Sequence, residues 1–157
     1  AGFIPAHETA EYCMRLSPWP AIVLDELGFH PMAIMDPSLL PADRRHLDEE
    51  DRAQLLRFEL LVADGRLERA QEIVEDLWIE ATDAHKALYK GLSNALTAVC
   101  AREARQLRGA AEIAQRSRAM LAPFPRRVLG LDLDAILDSV HTVVERGDGP
   151  VLLLRQG

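Results

Sequence analysis

The sequence predicts an all-α fold: a compact bundle of about five main helices in antiparallel hairpins, with a loop-rich N-terminal extension and a short extended C-terminal tail. Three observations predict it. From Leu67 to Ala81, apolar residues recur at spacings of three and four (Leu67, Ala70, Ile73, Val74, Leu77, Trp78, Ala81), which puts them on one side of a helix. Only 5% of residues are aromatic, while Ala and Leu are plentiful, a balance suited to helices packed through small and aliphatic side chains. Gly and Pro fall between the periodic stretches, at Gly65, Pro123, Pro125, Gly147 and Gly149, where helices are expected to stop.

The elements follow in order. Residues 1–47 read as an N-terminal extension packed on the body, 48–147 as the helical domain and 148–157 as a tail. A short helix is expected over His7–Leu16, ended by Pro18-Trp19-Pro20. Ala21–Leu24 is brief, β-branched and apolar, and reads as a strand or a helical turn. Pro31, Pro37 and Pro41, with Phe29, Met32 and Met35 among them, predict an extended loop over 29–43 lying across the helices or under a second subunit, with Trp19 and these apolar residues as packing.

The first long helix begins at about Asp48, where Asp48, Glu49, Glu50 and Asp51 place negative charge at the positive end of the helix dipole. Ala53, Leu56, Leu60 and Ala63 are its expected inward stripe, with Leu55 and Phe58 nearby. It ends at Asp64-Gly65, so the central helix returns antiparallel. Thr82 or Asp83 caps a third helix running to about Arg105, with Leu88, Leu92, Ala95, Leu96 and Val99 inward. In it, Gly91 and Ala95 are small enough for close helix–helix approach. A fourth helix, from near Gln106 to Leu121, turns Leu107, Ala110, Ala111, Ala114 and Leu121 inward. Asp132 caps a fifth that carries Ile136, Leu137, Val140 and Val144. Val151–Leu154 is strand-like and could pair with Ala21–Leu24.

Leu67-Glu-Arg-Ala70-Gln-Glu72-Ile73 is echoed forty positions later by Leu107-Arg-Gly-Ala110-Ala-Glu112-Ile113. The shared Leu-x-x-Ala-x-Glu-Ile is how the second helix of a stacked pair looks in α-solenoid repeats.

Composition narrows the function classes. A length of 157 residues suits one domain, and 48% apolar residues with a mean hydropathy of −0.06 suit one core. A net charge of −7 and a pI of about 5.2 argue against non-specific binding of nucleic acid or anionic lipid. Arg102–Arg108 and Arg126-Arg127 are only local basic spots. Cys13 and Cys100 have neither metal-type nor redox-type spacing and read as reduced thiols of a cytoplasmic protein, Cys100 in the core. No signal-peptide pattern and no run of about 18 apolar residues is visible, so neither secretion nor a membrane span is expected.

On the central helix, at roughly 100° per residue, Gln71 and Glu75 lie one turn apart beside Trp78, and Glu68, Glu72, Asp76 and Glu80 follow one another on the opposite side. Gln71, Glu72, Glu75 and Trp78, with Tyr89 and Lys90 from the next helix, form the candidate pocket. The alternative makes Glu75 a boundary carboxylate and the other acids a solvated face. His7, His30, His46, His85 and His141 are scattered, none in an i, i+4 pair, and Ser93, Ser117 and Ser139 sit mid-helix without an adjacent base. No nucleophile elbow, P-loop or His-Glu-x-x-His occurs.

Ala70, Glu72, Val74, Glu75 and Trp78, then Gly91-Leu92-Ser93-Asn94-Ala95, Arg108-Gly109-Ala110 and Gly130-Leu131-Asp132, stand in the order of four motifs. Through them, residues from about 54 to 145 resemble the domain of unknown function 309 family, small all-helical prokaryotic proteins sometimes labelled predicted metal-dependent hydrolases. The resemblance implies a motif histidine with nearby glutamates. This chain has Gln71 in that place, and an amide is a poor ligand for zinc and similar metals. The usual aromatic residue ahead of the motif is also missing, with Leu67 and Glu68 there instead.

The expectation is therefore a helical binding or scaffold protein without catalysis of its own, self-associating as a dimer or binding a protein partner, with no metal, cofactor, nucleic acid or membrane. The alternatives are a hydrolase using Glu72, Glu75 and a borrowed ligand on a small substrate, or a small-molecule sensor with Trp78 and Tyr89 lining its cavity.

Overall fold

The structure, a computed structural model, describes residues 18–27 and 36–146. A short helix α1 (Ala21–Leu27) comes first, then a 3-10 turn (Pro37–Leu39). Four long helices follow: α2 (Glu49–Ala63), α3 (Leu67–Glu80), α4 (Asp83–Glu103) and α5 (Leu107–Leu121). A two-stranded hairpin of β1 (Arg127–Val128) and β2 (Leu131–Asp132) leads into α6 (Leu133–Arg146). The bundle is all-α with five main helices, as the apolar periodicity requires. α2 pairs with α3 and α4 with α5, α3 packs on α4, and α6 closes over α4 and α5. The expected helix over His7–Leu16, the residues Phe29, Met32 and Met35, and the stretch Val151–Leu154 lie outside the described residues.

α4 is the axis. Leu88, Leu92, Ala95, Leu96, Ala98 and Val99 are all buried in it. Its contact with α5 is close because Gly91 has no side chain: a Cβ there would lie 2.5 Å from Leu121 Cδ2 and 2.7 Å from its Cγ. One turn back along α5, Ser117 uses the space to donate a hydrogen bond to the Gly91 carbonyl, at 2.9 Å. The mid-helix serine is thus an interhelical tie.

The echo in the sequence is an echo in the backbone. At the end of α2, Arg66 N–H reaches back to Leu61 O (2.9 Å) and Gly65 N–H to Val62 O (3.0 Å), the two bonds of a Schellman turn. Forty residues on, Gln106 N–H reaches Ala101 O (2.9 Å) and Arg105 N–H reaches Arg102 O (3.0 Å). Gly65 has φ of 76° and Arg105 has φ of 64°, so an arginine holds the left-handed position that glycine fills in the first hairpin. Both returning helices start at the echoed leucine, and both bury the echoed alanine, Ala70 and Ala110.

Caps set the remaining boundaries. Asp48 accepts from Asp51 N–H and starts α2. Asp132 accepts from Ala135 N–H and starts α6, as expected. Of the two residues expected to cap the third helix, Thr82 makes no side-chain cap, and Asp83 takes His85 N–H at 3.0 Å. Arg126, read from sequence as a basic spot, reaches the carbonyls of Leu121, Ala122 and Phe124 and closes the C-terminus of α5.

Several expectations are corrected. Of the two readings of Ala21–Leu24 the helical one holds and the strand does not: it is the first part of α1, packed through Val23, Leu24 and Leu27, while Trp19 donates to Met120 O at 2.9 Å. The strands stand elsewhere, at β1 and β2, joined by Leu129-Gly130 with both φ positive, a type I′ turn in which Leu129 N–H donates to Pro41 O and Leu129 O accepts from Arg44. Leu107 and Ala111 face solvent, while Val144 packs partly buried against the core, as expected, with Val143 buried beside it.

The largest correction concerns α2. Its inward face is Leu55, Phe58, Glu59 and Val62, whereas Ala53, Leu56, Leu60 and Ala63 face outward. The reason is Glu59. Glu59 is buried and ion-paired with Arg44, whose Nε also donates to Leu129 O at 2.6 Å. A paired glutamate can lie inside where a lone one cannot.

Two outcomes test this packing. Gly91→Ala gains helix propensity but meets Leu121, and should lower stability in urea by about 1 kcal/mol; in a Leu121→Ala background the same change should instead stabilise. Arg105→Gly relieves the left-handed arginine and should raise stability by about 0.5–1 kcal/mol in the same measurement.

Candidate functional site

The six residues of the sequence-derived pocket fall in three places. Gln71, Glu75, Trp78 and Lys90 lie along the seam of α3 and α4. Gln71 donates its amide to Thr97 Oγ1 (2.6 Å) and to Glu75 Oε1 (3.3 Å), and Thr97 in turn donates to Ser93 O. Lys90 Nζ stands 4.2 Å from the centroid of the Trp78 ring and Lys86 Nζ 5.6 Å, so both ammonium groups meet the aromatic face. Trp78 Nε1 is buried without a hydrogen-bond partner among the described residues. Glu72 is exposed, away from this seam. Tyr89 faces the other way, into a separate cleft.

That cleft, about 700 Å³, lies between the start of α2 and the α3–α4 connection. His46, Leu47, Asp48, Glu50, Asp51 and Gln54 form one wall; Asp76, Leu77, Ile79, Glu80, Ala81, Thr82, Asp83 and His85 form the other. Tyr89 completes its lining, while Gln71, Glu72, Glu75, Trp78 and Lys90 have no part in it.

Two imidazoles bridge the walls. His46 Nε2 and His85 Nε2 are 2.9 Å apart, with ring centroids 5.1 Å apart, so the rings meet nearly head-on. His85 Nδ1 lies 2.7 Å from Asp83 Oδ1, an acceptor, which places a proton on Nδ1. With Nε2 bare, His85 accepts there from His46 Nε2–H; with both of its nitrogens protonated, it donates to His46 Nε2 instead.

The electrostatics are those of crowded acids. Burial pushes the Asp51 carboxyl up, Asp48 and Glu50 add to the effect, and His85 opposes it. Burial, with Asp51 next in importance, pushes the Tyr89 phenol far up. The Tyr89 hydroxyl is buried and has no hydrogen-bond partner among the described residues. No three His, Cys, Asp or Glu side chains among the described residues are arranged to hold one metal ion.

Sequence reasoning missed His46, Asp51, Asp83 and His85. The two histidines are 39 positions apart and meet only because α2 and α3 fold back on each other. Asp48 and Asp51 carried a signal, but it was equally that of a helix start. Cys100, expected in the core, is only half-buried.

Comparison with known proteins finds no matching family model, no matching curated protein and no matching solved structure. Among the described residues no helix is long and apolar enough to cross a membrane.

Cys100 gives a direct check of the local field. Burial, then Glu103 and Glu68, push its thiol up, which lowers the thiolate fraction at neutral pH. In a Cys13→Ser variant, Cys100 should react with a disulfide reagent several-fold more slowly in the native chain than in urea at pH 8, and Glu103→Gln should narrow the difference.

Proposed function

We propose that this chain is a helical binding and scaffold protein without catalysis of its own, and that it self-associates through the outer face of α2. One observation carries the reading: α2 is apolar on two sides. Leu55, Phe58 and Val62 serve the core, yet Leu56 and Leu60, one turn apart, remain 44% and 59% exposed, with Ala53 and Ala63 exposed on the same side. Large apolar residues grouped on one helix face are a feature of contact surfaces. A two-fold arrangement would set Leu56 of one copy beside Leu60 of the other.

The absence of catalysis is supported by Gln71. At the place where the resembled family keeps histidine, its amide is spent on Thr97 and Glu75. Glu72, the other carboxylate a hydrolase would need, is exposed away from that seam. The acidic balance and unpaired spacing of the cysteines fit the cytoplasm of a prokaryote.

Light scattering after size-exclusion chromatography tests the association. The wild-type chain should run as a dimer at micromolar concentration. Leu56→Glu/Leu60→Glu should run as a monomer with unchanged circular dichroism. A wild-type monomer at every concentration up to the millimolar range would overturn self-association.

A further inference from the structure

We infer that the cleft between the start of α2 and the α3–α4 connection binds a small organic polycation, a flexible chain bearing two or more alkylammonium groups. Its walls carry Asp48, Glu50, Asp51, Asp76, Glu80 and Asp83, and among the described residues no lysine or arginine lines it. Helix capping accounts for Asp48 and Asp83. It does not account for the other four. The carboxylates of Glu50, Asp51, Asp76 and Glu80 make no hydrogen bond or ion pair with the described residues, although they line one cleft.

The second observation is at the lining and is independent of the charges. Tyr89 is 2% exposed, and its hydroxyl has no hydrogen-bond partner among the described residues. It lines the cleft in the field of Asp51, which the Arg44 guanidinium opposes and Asp83 and Asp48 reinforce. A buried hydroxyl is normally satisfied. An N–H donor entering among the carboxylates would supply the missing bond to the Tyr89 oxygen, and an ammonium group has three such donors.

The arrangement selects the class of cation. A hard metal ion needs several oxygens converging at about 2.0–2.6 Å, and no such convergence exists among the described residues. The carboxylates are instead spread over two walls of a cavity of about 700 Å³, within the size range of small-molecule sites, roughly 300–1,000 Å³. Charges spaced along an alkyl chain match charges spaced along a cleft. Leu77 and Ile79 on one wall and Leu47 on the other offer apolar surface to the methylenes between them.

Calorimetric titration with spermidine at low ionic strength tests the site. Saturable binding with one spermidine per chain is expected, weakened at least tenfold in Asp51→Asn/Asp76→Asn. Tyr89→Phe is the sharper variant, because it removes only an unpartnered hydroxyl, leaves the fold intact and does not alter the net charge. It should weaken spermidine several-fold, whereas Glu112→Gln, on the far helix α5, should leave binding unchanged. Equal affinity in wild type, Tyr89→Phe and Glu112→Gln would mean diffuse attraction to an acidic surface and would overturn the site, as would displacement of spermidine by equimolar magnesium. Preference for oligolysine over spermidine would assign the ammonium groups to a peptide and overturn the small-molecule reading.

Discussion

The close approach of α4 and α5 at Gly91 sets the position of nearly everything else. With hydrogen in place of a side chain, Leu121 lies against the α4 backbone and Ser117 bonds to it. α4 is thereby enclosed by α3, α5 and α6 along most of its length. Its polar side chains gather at its ends and along the α3 seam, apart from Asn94, which donates to Glu26 of α1. Asp83, His85, Lys86 and Lys90 cluster in its first turns, and both polar regions of the molecule emerge there. The Trp78–Lys90 seam opens on one side and the acidic cleft on the other.

Much of this was legible in the chain itself, and the failures share a cause. Leu67, Ala70, Val74 and Leu77 announce α3 because a single apolar arc has one interpretation. The repeated Leu-x-x-Ala-x-Glu-Ile proved to mark a repeated turn, even though Arg105 replaces the glycine that would have advertised it. α2 resisted because it carries two apolar arcs, and the choice between them is made by Arg44, fifteen residues from Glu59 and outside the helix. No local pattern holds that information. The same is true of His46 and His85, whose meeting depends on a hairpin. Of the six residues picked for a pocket, four do share one seam, but Tyr89 turns to the opposite side because α4 is buried all round and its aromatic ring fits against His85.

The acidic cleft also illustrates how capping and recognition overlap. Asp48 and Asp83 each satisfy backbone donors at a helix start, where the dipole favours negative charge. Because α2 and α4 begin close together, the two starts bring their acids to one place. The local requirement of each helix thus generates a collective field that neither helix needs. Asp51 bears the cost, its carboxyl held up by burial and by its own neighbours.

The chain has only two tryptophans, and they occupy unlike surroundings. Trp19 is sealed under α5 with its indole N–H on Met120 O and its ring against Phe124. Trp78 is half open, its face covered by two ammonium groups. Their emission should therefore differ in colour and in access to iodide, so one spectrum reports separately on detachment of the leading segment and on loosening of the α3–α4 pair.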